Sequence, residues 1–484
     1  MDVVKSPTGV AFSIFAVSVC LAVFFNTRQR RALETKNGCA PPPRFNNKEP
    51  ITAIDYTYNL FTDVHNMFIN HARYGKTFSV NPWIGPRSIV TADVENIKHV
   101  FQSKDWGNFW RREPFSPFTG IGLLTEDGAE WNDARKAVKP SFAKNNLSDL
   151  SYFSHVIDGL IEQIPADGQQ IDMQPMFIKS FVDNALYFIL GYDVNNPPEG
   201  IPSSRDQFLD SWGKAIEGTG LRLMLGGFRS LLPTGAYKRV CGQVHDFVAF
   251  CVERASIDTD NGSKNMAKTF LSLGRDKLWI RNHLVQGIIG AQDTTSILLS
   301  NTVYFLARSP AHWKFLREEA LRQGDSMFEW DALRNNTVIQ NMLFESLRLR
   351  PLFPALQRQA YVDTIIPTGG GPSGTSPIFV PAGSEFLPSF YVLHRDPAVF
   401  GPDVESFEPD RWNSIKPTQW EFMGFGGGPR SCLGKEKSLV EGAYVLAKLA
   451  GKFEKLEARD EKEWIGESKI TCANKHGCKV AFFS

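Results

Sequence analysis

The chain has 484 residues, 42% of them apolar and 22% charged, with a net charge of +1. That balance suits a globular protein with a large core and gives no electrostatic reason to expect a nucleic-acid or acidic partner. The seven cysteines are odd in number, widely spaced and without a CxxC pair, and the nine histidines hold no HExxH, which argues against a disulfide framework or a zinc site and for a reducing compartment.

Taken in chain order, the first feature is GVAFSIFAVSVCLAVFF at 9–25, apolar throughout. About 17 residues is the short end of what spans a bilayer. Arg28, Arg30, Arg31 and Lys36 follow it while only Lys5 precedes it, so the positive-inside rule puts the body on the cytosolic side. Residues 1–27 therefore read as a retained membrane anchor, with a cleaved signal peptide as the alternative. Residues 28–50 read as a basic, proline-rich linker in which CAPPPR is a stiff connector. Length alone suggests about three domains, but nothing after residue 50 resembles a linker, so 51–484 is expected to be one body.

That body reads as mostly helical. KTFSV and RSIVTAD around NPWIGP predict a hairpin, and ENIKHVFQS begins a helical pattern. EWNDARKAVKPSF predicts a helix that Pro140 ends or bends. Apolar residues recur at helical spacing from Leu147 to Asn195, and TDNGSK near 260 is a loop. KLWIRNHLVQGIIGAQDTTSILLSNTVYFLARSP predicts a single long helix of roughly 30 residues. VIQNMLFESLRLR is a helix stopped by Pro351, followed by strands at IFVPAG, EFLPSFYV and KVAFF. GGGPSG at 369–374 matches a dinucleotide-loop spacing, but the surrounding prolines make it a hairpin turn.

Two stretches carry chemistry. FGGGPRSCLG at 425–434 puts Cys432 just before a helix, where unpaired N–H groups and the helix dipole favour a thiolate. Gly426, Gly427, Gly428 and Gly434 clear space for something flat pressing on the backbone. Arg430 is a fixed cation suited to a carboxylate, and Phe425 is an aromatic neighbour. The set fits a haem iron with its propionates; an inert buried cysteine is the alternative. In the long helix, Gly287, Gly290 and Thr294 share a face although each glycine costs about 1 kcal/mol relative to alanine. Either another helix packs there or a cofactor passes beneath.

Phe425, Gly428, Arg430, Cys432 and Gly434 complete the pattern F-x-x-G-x-R-x-C-x-G. ESLR with Glu345 and Arg348, FEPDRW with Phe407, Pro409 and Arg411, and WNDAR with Trp131 and Arg135 occur in matching order. On these motifs the chain resembles the cytochrome P450 superfamily over essentially its whole length. The resemblance implies a mainly α fold with small β-sheets, a helix-rich triangular prism behind the N-terminal anchor. It implies haem b with Cys432 as axial ligand of the iron, and Trp131, Arg135 and Arg358 at the propionates. It implies that Glu345, Arg348 and Arg411 form a buried charge cluster behind the cysteine loop, a surface ion pair being the alternative. GAQDTT resembles the oxygen-activation segment, with Asp293 and Thr294 as its acid–alcohol pair; Gly290-Ala291 stands where the family usually has Ala-Gly.

Ile289, Leu352, Phe353, Ala355 and Leu356, with Phe115 and Phe118, would line an apolar substrate pocket by the same analogy, ordinary core packing being the alternative. The segment 361–412 and the GGGPR form of the cysteine loop resemble the fungal alkane and fatty-acid hydroxylase group. Leu356 departs from it, because Asn is frequent there. No flavin or nucleotide domain is evident, so electrons from NADPH would arrive through a separate NADPH-cytochrome P450 reductase, docking near Arg135, Lys136, Lys139, Lys435 and Lys437. The expectation is a single-pass protein of the endoplasmic reticulum membrane, its catalytic domain facing the cytosol. It would use O2 to hydroxylate a lipophilic small molecule, an intermediate of fungal secondary metabolism. A fatty-acid or alkane hydroxylase, or an O2-independent haem-thiolate isomerase or dehydratase, are the alternatives.

Overall fold

A computed structural model describes residues 27–257, 265–468 and 470–484. The expected anchor at 9–25 and the TDNGSK loop lie outside the described residues. No helix among the described residues is long and apolar enough to cross a membrane.

The basic stretch after the anchor does not behave as a linker. Residues 27–36 are helical, and Arg30 makes a two-pronged ion pair with Asp363 at 2.8 and 3.0 Å. The proline connector is likewise docked. Ala40 N–H donates to the Pro377 carbonyl at 2.9 Å, Gly371 N–H to Pro41 at 3.0 Å, and Ser79 N–H to Pro43 at 2.8 Å. Prolines lack a donor but keep an acceptor, and the carbonyls of Pro41 and Pro43 accept from backbone at the edge of the sheet strands.

A five-stranded sheet runs in the order Thr77–Val80, Ser88–Thr91, Glu385–Pro388, Arg358–Ala360, Trp106–Gly107. Its first pair is the predicted hairpin, antiparallel with Phe78 opposite Val90. Thr364–Gly370 and Ser376–Val380 form a second hairpin, and GGGPSG is its turn. Of the expected strand EFLPSFYV only Glu385–Pro388 is extended; Phe390–Leu393 turns helical, because Pro388 cannot continue the ladder. Lys479–Phe483 pairs with Lys455–Ala458 as the closing strand.

Helices make the rest. Two large apolar clusters carry the core. One gathers Ser151–Glu162, Thr294–Leu306, Thr337–Leu349 and Lys435–Lys452; the other gathers Met173–Leu190, Arg205–Leu225, Gly235–Ile257 and Lys277–Ala291. The predicted single long helix is two. Lys277–Ala291 ends and Thr294–Leu306 begins, with Gln292 and Asp293 as a bend between them. The polar run Gln292–Ser296 falls at this point, but with no proline or glycine directly in the bend it reads equally as the polar face of a continuous helix. Pieces of both helices line the large cavity, at whose wall the bend lies.

Candidate active site

The cavity measures about 1070 Å³, room for a cofactor and a substrate together. Cys432, Arg430, Gly434, Phe425, Trp131, Arg135 and Arg358 all line it, as do Thr294 and the five apolar positions Ile289, Leu352, Phe353, Ala355 and Leu356. Sequence separation between these residues exceeds 300 positions, and the fold brings them to one wall. Phe115 lines it too, whereas Phe118 is fully buried in the core against Trp212, ring centroids 5.0 Å apart.

Cys432 lies three residues before the helix Lys435–Lys452, its N–H donating to the Phe425 carbonyl at 2.9 Å, which closes the loop on itself. The side chain is exposed, but to the cavity rather than to bulk water. Surrounding protein therefore pushes its thiol pKa up; the N–H groups of Gly434 and Lys435 and the charges of Arg135 and Lys435 pull the other way.

The glycines divide. A Cβ on Gly434 would meet Phe142 and the cysteine sulfur at ordinary contact distance. Gly428, at φ +66, does not line the cavity: a Cβ there would meet Trp420 at 3.1 Å. Gly427 is tighter still, 2.9 Å from the Met423 sulfur. The expectation that the whole run clears a flat group is thus corrected. Gly427 and Gly428 make room for Trp420 and Met423, and only Gly426 and Gly434 border the cavity.

Next to the sulfur the cavity wall is cationic. Trp131, buried, is held between two guanidiniums, Arg430 at 4.3 Å and Arg135 at 5.6 Å from its ring centre. Arg135 donates to the Ser431 carbonyl at 3.0 Å, and Arg358 donates to Asn108 Oδ1 at 3.1 Å. Arg430 pairs with Asp127 and donates to the Glu126 carbonyl at 2.8 Å. Asp127 also accepts from Asn108 N–H at 2.7 Å and from the Tyr361 hydroxyl, so it cannot cap the helix Gly128–Val138 that it precedes. Arg111 joins this group. Burial, then Arg430, pushes Arg111 down to about 10; burial, then Arg111 and Arg430, pushes Arg358 down to about 9. Sequence reasoning missed Arg111, Asn108, Asp127 and Trp110. The only signal was the cluster FWRR ahead of the WNDAR helix.

Opposite lies the helix break. Thr294 Oγ1 donates to the Gly290 carbonyl at 2.8 Å, stitching the end of one helix to the start of the next. A Cβ on Gly290 would meet nothing within 4 Å, so that backbone faces open cavity. Gly287 differs, because its Cβ would touch Ile189 and Met266 at ordinary distance. Asp293 does not line the cavity. It sits behind the break, where burial raises its pKa and Thr471 Oγ1 donates to it at 3.2 Å.

Glu345 and Arg348 are both fully buried, on the helix Thr337–Leu349. Glu345 accepts from Arg348 at 2.8 and 2.9 Å, from Arg411 Nε at 2.9 Å, from Glu408 N–H at 3.0 Å and from Trp412 Nε1 at 2.9 Å. Every lone pair is used, which is what keeps such a cluster tolerable inside a protein.

The chain fits a family-model comparison as closely as it fits this geometry: residues 50–476 match the model for cytochrome P450. The chain is a cytochrome P450. Fungal relatives include cytochrome P450 monooxygenase himC of Aspergillus japonicus, 32% identical over 97% of this chain and 88% of its own. Monooxygenase apdE of Emericella nidulans is 30% identical over 98% and 93%. Cytochrome P450 52A13 of Debaryomyces hansenii is 32% identical over 85% and 82%. Such near-complete likeness makes this P450 a haem-thiolate monooxygenase.

A haem fits the residues present. Three mutually repelling buried arginines face one carboxylate, and a group with two carboxylates supplies the missing negative charge. On the same wall, Trp110 Nε1 is a buried donor without a partner among the described residues. Cys432 would hold the iron, and Arg111, Arg135, Arg358, Arg430, Trp110 and Trp131 would hold the carboxylates. The bound group would supply oxygen activation. The chain's own residues anchor it, exclude water with an apolar wall and place one hydroxyl, on Thr294, at the break.

Proposed function

We propose that this P450 is a membrane-anchored monooxygenase that hydroxylates a lipophilic small molecule, an intermediate of fungal secondary metabolism. O2 is the oxidant, and NADPH electrons arrive through NADPH-cytochrome P450 reductase at the cytosolic face of the endoplasmic reticulum. Haem b is the cofactor, and Asp293 and Thr294 deliver protons at the distal wall. The observation that carries this reading is the cavity itself: one continuous space that joins Cys432 and Thr294 to a surface mouth with exposed Ile54, Ile84 and Phe228 at its rim. An apolar rim suits a substrate drawn from a lipid phase. Relatives named P450 52 keep a fatty-acid or alkane substrate as the second reading.

Reconstitution with the reductase tests the proposal. Substrate extract from a strain lacking this gene is expected to drive matched NADPH and O2 consumption and to yield a product with one added oxygen. The reduced, CO-bound protein should show the red-shifted thiolate band, absent in Cys432→Ala. Turnover without O2 consumption would instead favour an isomerase or dehydratase.

A further inference from the structure

Two carboxyls line the cavity that no step so far uses; Glu441 is paired with Lys437 and accepts from Asn184, which leaves Glu385. Glu385 stands on the strand Glu385–Pro388, directly beside the strand of Arg358 and on the other side from it pairs with Ser88. Register partners share a face of the sheet, so Glu385 points to the side of Ser88 and Gln359, whereas Arg358 pairs with Phe386 and points to the other. Gly85 and Pro86, which lead into Ser88, line the cavity beside the rim residue Ile84. Glu385, paired with Ser88, therefore lines the cavity on the side of the rim residue Ile84.

Its surroundings are unusual for an acid. Ser88 Oγ donates to Oε2 at 2.9 Å, and Gln357 is the second polar neighbour. Among the described residues it makes no ion pair, and no charged group contributes to its titration. Burial alone raises its pKa, against Ser88 and Gln357. The rest of the nearby wall is apolar, from Val80, Ile84 and Leu387. A buried carboxyl costs free energy unless hydrogen bonds satisfy it. One placed on a ligand wall, with more acceptor positions than Ser88 and Gln357 together serve, is set up to accept from a ligand.

We infer that Glu385, oriented by Ser88, recognises a hydrogen-bond donor at the outer end of an elongated apolar substrate. This rests on the monooxygenase reading and narrows its substrate class. The substrate carries a hydroxyl or another donor at the end remote from the oxidised carbon, and such a neutral head is favoured over a fatty acid's carboxylate. A carboxylate head beside Glu385 would place two acids together, and one would have to take up a proton. A site that hydrogen-bonds a donor also rejects the analogue lacking it, because its own polar group is then left unpaired.

Calorimetric titration of the full-chain holoenzyme with decanol, decyl methyl ether and decanoate tests this, since the three share a chain and differ in the head. Wild type is expected to bind decanol about tenfold tighter than either of the others, the worth of one hydrogen bond to a charged group. Glu385→Ala should bring the three within about threefold, and Ser88→Ala should narrow the gap without closing it. Equal binding of decanoate or the ether by wild type overturns the inference, as does an undiminished decanol preference in Glu385→Ala. If Glu385→Ala lacks the thiolate CO band and so is not intact, the wild-type ranking alone decides. Failure of the monooxygenase reading has a different signature: the wild-type ranking holds, yet no substrate drives NADPH and O2 consumption.

Discussion

Asp293 and Thr294 are adjacent in sequence but face different surroundings. The threonine borders the cavity, while the acid is buried behind the helix break with Thr471 as its donor. An acid whose pKa is raised by folding contributes stability that is present below its unfolded value, near 3.9, and lost as pH climbs through its folded value. Asp293→Asn removes that loss. Its thermal midpoint should fall less than that of wild type as pH is raised from about 4 to 8, while turnover drops. Thermal melts across pH would show the opposite slope if the carboxyl were stabilised as an anion. Thr294→Ala should cut product formed per NADPH by about tenfold or more and leave substrate affinity unchanged, the pattern of a lost proton donor. Thr294→Ser should restore most of it. Unchanged coupling in Thr294→Ala would remove the hydroxyl from the reaction.

At the scale of elements, the two glycines of the broken helix give a matched pair. Each costs about 1 kcal/mol against alanine in a helix. Gly287→Ala gains that stability, and although Gly287 also borders the cavity its methyl would pack on Ile189 and Met266 at ordinary distance, so substrate binding should change little. Gly290→Ala gains it too but projects a methyl into the cavity, so substrate affinity or the site of oxidation should change. Denaturant midpoints and substrate titration of both variants separate the effects; a silent Gly290→Ala would mean that nothing approaches that backbone. The charge cluster ties the helix Thr337–Leu349 to the segment 403–412. Glu345→Gln leaves two buried arginines short of their counter-charge, and should destabilise the fold by about 3–5 kcal/mol, read from the same denaturant curves.

What was legible in the sequence follows from distance along the chain. The cysteine loop, the Glu345–Arg348 pair and the Trp131–Arg135 pair are each set within a few residues, and local spacing reports them. Arg111, Asn108 and Asp127 meet Arg358 and Arg430 only because sheet and helix are assembled, and no local pattern encodes that meeting. The helix break at Gln292–Asp293 was hidden because no proline marks it, and the polar run from Gln292 to Ser296 is also what one face of an unbroken helix would show. Gly428 misled for a related reason: glycine signals clearance, but Trp420 rather than the cavity occupies it.

Five cations were expected near the sulfur to receive a reductase, and the structure sorts them. Lys437 is largely buried and paired with Glu441, and Arg135 lines the cavity and holds the Ser431 carbonyl. Neither is free for a partner. Lys136, Lys139 and Lys435 are exposed, and Lys435 lies close enough to act on the Cys432 thiol. Exposed charges act mainly on encounter rate and are screened beyond a Debye length of about 10 Å at 0.1 M salt. Charge reversal of these three lysines to glutamate should therefore slow reduction by the reductase about tenfold at low salt, with little difference left near 1 M. Substrate affinity should be unchanged, because none of the three lines the cavity. Stopped-flow reduction across ionic strength reads both quantities; a rate defect that persists at high salt would mean that the reversals damage the cysteine loop rather than the encounter.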